Sequence, residues 1–566
     1  MIHSFLRLVP LVCLGAIAVG CSDSDSGGDP QDAGGAGGCG DFAPCTSGSG
    51  GSGGAGAGSP GRVGEGAAPE ADDAEGAEDS TASGSGTSSG GMGPTPPPLD
   101  ECSTCCNAEH TIGADAFVLR VDDSNSFGSP LLVDALLPAW DGLTPLPVRT
   151  HEFLNVFAPR VPPAEDGGDL AFDVGASVVS TSATTPEGAP DGEVRLALQV
   201  AVRHLETFEA PPRSVTLVVD TSPSVGASVE RLLGAIDLVV AQLRPEDALG
   251  VVSWSSDAAR RSLRPLANLG EEPLDEEALR DSVQREIDLT DGAADLGVAL
   301  REALDQVRAA PEGVGTVLLV SDGSSGVDRE TLDAVTEAAA DAVRVVGIGV
   351  GPAEDYSDAV LDAITDASGG ASLYFDGTDA AAELLESRFR EMVDIAHSGV
   401  RLRLDLPASV RLVVSSAADT SAVGGEIEGQ NLAVGGTMTF HETLRWTDAV
   451  IADPCAAIGW AILDEDGNRL GGGSMALGDI FAGLHQSTSL LEGSAVVAAT
   501  AALKGPTPAR LARAIDAMQA ASARLEGEGT AWEGHRLEAL CGSLQTACER
   551  RGAECPSCPV AGSISE

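Results

Sequence analysis

Between residues 213 and 397 five short apolar runs alternate with amphipathic stretches, and this alternation constrains the fold more than any other feature of the chain. The runs cover 215–220, 248–254, 316–321, 343–350 and 371–375. Near-continuous apolarity over such short lengths is the mark of strands buried on both faces, as in a parallel sheet covered by helices. The intervening stretches predict helices over 228–243, 275–287, 296–309, 330–342, 358–367 and 380–396. In the first of these Leu232, Ile236, Val239, Val240 and Leu243 recur at helical spacings and make a core face. The expected fold class is α/β, with a doubly wound, mostly parallel sheet.

The first run ends in Asp220, and Ser222 and Ser224 follow at alternate positions in V-T-L-V-V-D-T-S-P-S. A carboxylate and two hydroxyls are thus presented where a strand hands over to a helix. The third run, V-L-L-V-S, leads into Asp322 and Gly323. Open α/β sheets bind ligands at this carboxyl edge. An all-oxygen donor set suits a hard divalent cation that keeps positions for water or for a partner's oxygen. The spacing alone is weak, since Asp122, Ser124 and Ser126 spell the same string after another apolar run. Asp, Ser and Asn in such strings commonly close turns by bonding nearby backbone.

Taken together, D-x-S-x-S after the first strand, V-L-L-V-S-D-G (317–323) and I-G-V-G (348–351) resemble the von Willebrand factor A (VWA) family and its metal-ion-dependent adhesion site. The resemblance implies a VWA/Rossmann-like fold with Asp220, Ser222, Ser224 and Asp322 as ligands. The implied ion is Mg²⁺, with Mn²⁺ or Ca²⁺ as substitutes, and the implied partner is a protein whose Asp or Glu fills the open position. Two departures stand against it. Ala294 occupies the place of the family's threonine, and Pro223 replaces the glycine between the two serines. A narrower resemblance, to the YfbK-type family of bacterial exported A-domain lipoproteins, rests on V-R-T-H-E-F-L-N-V-F (148–157) and D-Y-S-D-A-V-L-D (355–362).

The ends of the chain point to export. Residues 1–20 carry His3 and Arg7 and an apolar run from Phe5 to Val19 and read as a secretory signal, and Gly20-Cys21 resembles a bacterial lipoprotein junction with lipid on Cys21. No later run reaches the ~18 apolar residues that span a bilayer, so the lipid is the expected anchor, on the outer membrane or cell surface. Residues 21–109 then form a Gly, Ser, Pro and acidic linker with too little apolar surface to fold. Beyond it the expected units are an N-terminal α+β region (110–210), the VWA domain (211–397), a β-rich domain (398–485) and a helical, cysteine-bearing region (486–566).

Of twelve cysteines, ten remain after Cys13 and Cys21 are set aside, and export favours disulfides over thiolate metal sites. With Cys39 paired to Cys45, the trio Cys102, Cys105, Cys106 and the quintet in the C-terminal half would share at least one bridge. Cys102-x-x-Cys105-Cys106-x-x-x-His110 and Cys555-x-x-Cys558 could otherwise hold zinc. A formal charge of −53 argues against nucleic acid or an anionic membrane face as a partner. H-E-x-x-H does not occur and G-x-S-x-G falls only in the Gly/Ser-rich linker (50–54 and 86–90), where no strand-like run precedes the serine, so no enzyme is expected. The sequence therefore predicts a lipid-anchored, metal-dependent protein-binding module. Its alternative is an envelope scaffold whose VWA site is degenerate and metal-free.

Overall fold

A computed structural model describes residues 115–120, 126–159, 161–163, 168–181, 194–204, 211–255, 257–289, 295–310, 314–416, 419–421, 429–446, 456–527, 535–552 and 554–558. The chain opens with β1 (Asp115–Arg120), the helices α1 (Gly128–Leu136) and α2 (Thr150–Val156), and two long strands, β2 (Leu170–Thr181) and β3 (Val194–His204). Then comes the α/β body. Its strands are β4 (Arg213–Val219), β5 (Ala248–Ser253), β6 (Ser262–Asn268), β7 (Val314–Ser321), β8 (Arg344–Val350) and β9 (Ala371–Phe375). Between them run α3 (Val229–Ala241), α4 (Ala258–Arg261), α5 (Glu276–Leu289), α6 (Leu296–Arg308), α7 (Arg329–Ala340) and α8 (Asp358–Ser368), and α9 (Asp379–Val393) closes the unit.

The sheet order is β6-β5-β4-β7-β8-β9, parallel throughout except for the antiparallel edge strand β6. Residues Arg213 to Val219 are all buried, which is why that strand reads as an unbroken apolar run rather than an alternating one. The expected α/β fold class holds. Because β5 flanks β4 on one side and β7 on the other, the order reverses between β4 and β7, and ligand crevices in such sheets open at that point. Strand β6 (S-L-R-P-L-A-N) has no counterpart in the sequence reading. Its residues are half-buried or exposed, and Pro265 is tolerable only at an edge.

The rest of the chain adds β10 (Ile395–Leu406), β11 (Val410–Ser415), β12 (Asp419–Ser421), β13 (Gln430–Ala433), β14 (Thr437–Trp446), β15 (Ala457–Leu463) and β16 (Arg469–Ala476). Four helices follow: α10 (Leu477–Phe481), α11 (Thr488–Lys504), α12 (Pro508–Gly527) and α13 (His535–Arg550). Strands from before and after the α/β body pair with each other. One sheet runs β12-β1-β10-β15-β16 and the other β11-β14-β3-β2, and Leu198, Val200, Leu402, Leu404, Phe440 and Ile458 share the apolar core between them. The α/β body is thus inserted into a sandwich, leaving it after β3 and returning at β10.

Helices α11 to α13 pack with α1 and α2 on one face of the inserted body, and a single apolar cluster runs through all of them. The Ser543 hydroxyl donates to Asp134 of α1, while Arg550 and Arg551 donate to the carbonyls of Pro138 and Gly142. Burial raises the Asp134 carboxyl to about 6, with the Ser543 bond offsetting part of the shift. Cys541 and Cys548, two helical turns apart on α13, are disulfide-bonded to Cys558 and Cys555. Those bonds exclude a zinc site at Cys555 and Cys558. The expected bridge between the cysteine trio and the C-terminal half falls on Cys102, Cys105, Cys106 and Cys455, outside the described residues. No described helix is long and apolar enough to cross a membrane.

Candidate functional site at the carboxyl edge of the inserted sheet

Adjacent strands carry the two aspartates to one place. Val219 of β4 lies in register with Val320 of β7, so Asp220 and Asp322 emerge side by side at the switch point. Asp220 is fully buried. Its Oδ1 accepts from the Ser222 backbone N–H at 2.9 Å, and its Oδ2 accepts from the Ser321 hydroxyl at 2.7 Å. Burial pushes the Asp220 carboxyl up; the bonds from Ser222 and Ser321 oppose the shift, and the nearby Asp322 charge adds to it. Asp322 Oδ1 accepts from the Ser324 N–H at 2.9 Å. Between the two loops the hydroxyls pair with one another, Ser222 with Ser224 at 2.8 Å and Ser224 with Ser324 at 2.9 Å.

Local backbone chemistry fixes this geometry. Pro223 opens a 3₁₀ turn over Pro223–Ser228, where a preset φ and a missing N–H suit the first helical position. Gly323 has φ +68°, and a Cβ there would stand 1.9 Å from the Ser357 carbonyl oxygen, so only glycine fits. Each aspartate therefore closes its own turn, and the hydroxyls join the turns.

The sequence-predicted residues Asp220, Ser222, Ser224 and Asp322 do meet, but they do not make a metal site. Among the described residues no group of three or more His, Cys, Asp or Glu is placed to hold a metal ion. The donor set explains why. It offers two carboxylates, one of them biased by burial towards its neutral form, and hydroxyls already bonded to each other. The expected Mg²⁺ (or Mn²⁺ or Ca²⁺), and with it the metal-dependent adhesion site, is overturned. Ala294 lies outside the described residues. The missed members, Ser321 and Ser324, flank Asp322 in V-S-D-G-S; the first reads as a plain strand residue and the second as a turn residue.

A second cluster assembles the two motifs that carried the narrower resemblance. Arg149, at the start of α2, reaches Asp358 at 2.9 Å and Asp362 at 3.1 Å on successive turns of α8, and Glu152 at 3.0 Å. Glu152 is fully buried and also accepts from the Ser129 N–H. Burial raises its carboxyl to about 7, against the pull of Arg149 and the Ser129 bond. Asn155 donates to the Ser126 carbonyl, the Ser126 hydroxyl meets Ser372 on the sheet edge β9, and the Phe127 N–H donates to the Ser372 carbonyl at 2.7 Å. Removing Arg149 (Arg149→Met) is expected to cost about 2 kcal/mol at pH 8. The loss should shrink towards pH 6 as Glu152 takes up its proton, which denaturant unfolding at the two pH values would read.

One contact has the residue types of a nucleophile and its base. His441 Nε2 lies 3.0 Å from the Ser494 hydroxyl, between β14 and α11. Burial holds that imidazole down at about 4, and its Nδ1 has no acceptor to orient it. The pair is a packing contact.

Residues 214–388 match the von Willebrand factor type A domain. A curated relative, the uncharacterized protein YfbK of Escherichia coli (strain K12), is 26% identical over 226 residues, which is 38% of this chain and 38% of that protein. Similar solved structures include a von Willebrand factor type A protein from Catenulispora acidiphila, with a TM-score of 0.39 and 15% identity over 69% of this chain and 96% of that one. Another is the ArnB paralog VWA2 from Sulfolobus acidocaldarius, with a TM-score of 0.35 and 13% identity over 68% and 98%. The chain is a VWA-domain-containing protein with distant similarity to other such proteins.

Proposed function

We propose that this VWA-domain chain is a non-catalytic scaffold of the bacterial cell envelope, in which the domain is retained for packing and not as a metal-gated receptor. The observation that carries this reading is the hydrogen-bonded run from Asp220 through Ser222, Ser224 and Ser324 to Asp322, in which the would-be ligands bond to one another and to neighbouring backbone. The Arg149 cluster supports it, because it ties the domain to the N-terminal helices as a building block would be tied. It also supports placing the chain near the YfbK-type exported proteins, since residues of both motifs form that one cluster. The signal-like residues 1–20 and Cys21 support export and a lipid anchor.

Thermal unfolding of the full chain should give the same midpoint with Mg²⁺ and with a chelator. Asp220→Ala should cost about 2 kcal/mol in both, because the Ser321 hydroxyl and Ser222 N–H lose their acceptor. A midpoint raised by Mg²⁺ in the wild type and not in the variant would sink the metal-free reading. Envelope partners cross-linked to the chain should be the same with and without chelator. Cys21→Ser should release the chain from the membrane fraction; a variant that still sediments with membranes would remove the lipid from the proposal.

A further inference from the structure

The inserted body joins the sandwich at two crossings, and a histidine stands beside each. His204 ends β3, the last strand before the insertion, and His397 lies in β10, the first strand after it. The strands belong to opposite sheets, yet the two imidazoles face each other with ring centroids 5.8 Å apart. His204 is buried and its Nδ1 has no hydrogen-bond partner. His397 sits in an irregular part of its ladder, with register shifts on both sides of it.

The surroundings decide how such a pair answers acid. Asp169, at the entry to β2, acts on both rings, and Asp464, just past β15, acts on His397. Arg401 of β10 is turned away, donating to the Asp464 and Glu465 carbonyls, and the Glu465 N–H donates to Ser398. The ladder partners Leu170 of β2 and Leu432 of β13 carry no charge. Burial lowers both imidazoles below their ordinary value; for His204 the neighbouring ring adds to this, and the aspartates only partly oppose it. A lowered histidine takes up its proton more readily when unfolded or opened. The stability it supports is therefore present above about pH 6.5 and lost as pH falls towards its folded value.

We propose that His204 and His397 form an acid-responsive junction: neutral rings pack and hold the inserted VWA domain against the sandwich, and protonation forces them apart and loosens the domain. The inference goes beyond the scaffold reading and does not depend on it.

Hydrogen exchange of the full chain at pH 7.5 and pH 5.5, corrected for intrinsic rates, tests it. Protection over 395–404 and 430–440 is expected to fall at least about tenfold in acid, tenfold corresponding to about 1.4 kcal/mol, while 314–321 in the sheet interior stays protected. The double variant His204→Phe/His397→Phe, which keeps two rings and removes both charges, should flatten that response. Unchanged protection in the wild type, protection that rises in acid, or a double variant that still responds in full would each overturn the proposal. If that variant misfolds, an NMR titration of the wild-type imidazoles decides: two mutually coupled, depressed titrations support the junction, and two independent ordinary ones overturn it.

Discussion

Arg213→Met is expected to lower the unfolding free energy by about 3–5 kcal/mol, the range for breaking a buried ion pair by removing one partner. Arg213 is the first residue of β4 and Asp394 is the residue after α9, so together they close the neck of the insertion. The guanidinium grips the carboxylate in a fork, Nε to Oδ1 at 2.8 Å and Nη2 to Oδ2 at 2.7 Å, with both side chains only 3% exposed. Its backbone N–H donates to Asp247 at 2.8 Å, and its guanidinium lies over the Phe389 ring. Methionine would restore most of the volume but strand Asp394 without its main cation. The double variant Arg213→Met/Asp394→Leu should recover much of the loss, because replacing a whole buried pair by apolar groups is often neutral. Equal losses in the single and double variants, measured by urea unfolding, would show that packing and not the ion pair holds the neck.

Glu442→Gln should act in the opposite direction and only at high pH. Glu442 lies on β14 between Leu198 of β3 and Ser415 of β11, on the same face as the buried Phe440 and Leu444, inside the sandwich core. Burial pushes its carboxyl up to about 8, with the Ser415 hydroxyl offsetting part of the cost. The folded chain therefore keeps a proton that the unfolded chain gives up above about pH 4.5. Stability falls with rising pH between those two values, by roughly 1.4 kcal/mol for each pH unit at most. The amide is neutral at every pH. Its gain should be under about 1 kcal/mol at pH 5 and on the order of 4 kcal/mol at pH 9. A gain that did not change with pH would mean that the carboxyl is not held neutral.

The inserted sheet was legible because its strands are buried on both faces and announce themselves as apolar runs. The sandwich was less so. Strand β2 hides behind Asp173 and Gly175, and β16 (R-L-G-G-G-S-M-A) behind three glycines, one of which leaves room for the Phe172 ring. The pairing of β1 with β10 joins residues far apart in the chain, and no local pattern encodes it. At the switch point the meeting of Asp220 and Asp322 could be read from two strand ends. Whether the hydroxyls would face an ion or each other depended on turn geometry, which spacing does not contain. Arg213 and Asp394, each taken alone, read as ordinary charges at the ends of elements, and no local pattern pairs them.

The insertion also has a mechanical consequence. Tension applied along the polypeptide from β1 towards the sandwich's later strands enters the antiparallel ladder between β1 and β10. It can pass across that ladder without traversing residues 213–394, whose two ends are riveted together at the base. The VWA domain would then ride as an unloaded passenger while the sandwich bears the pull.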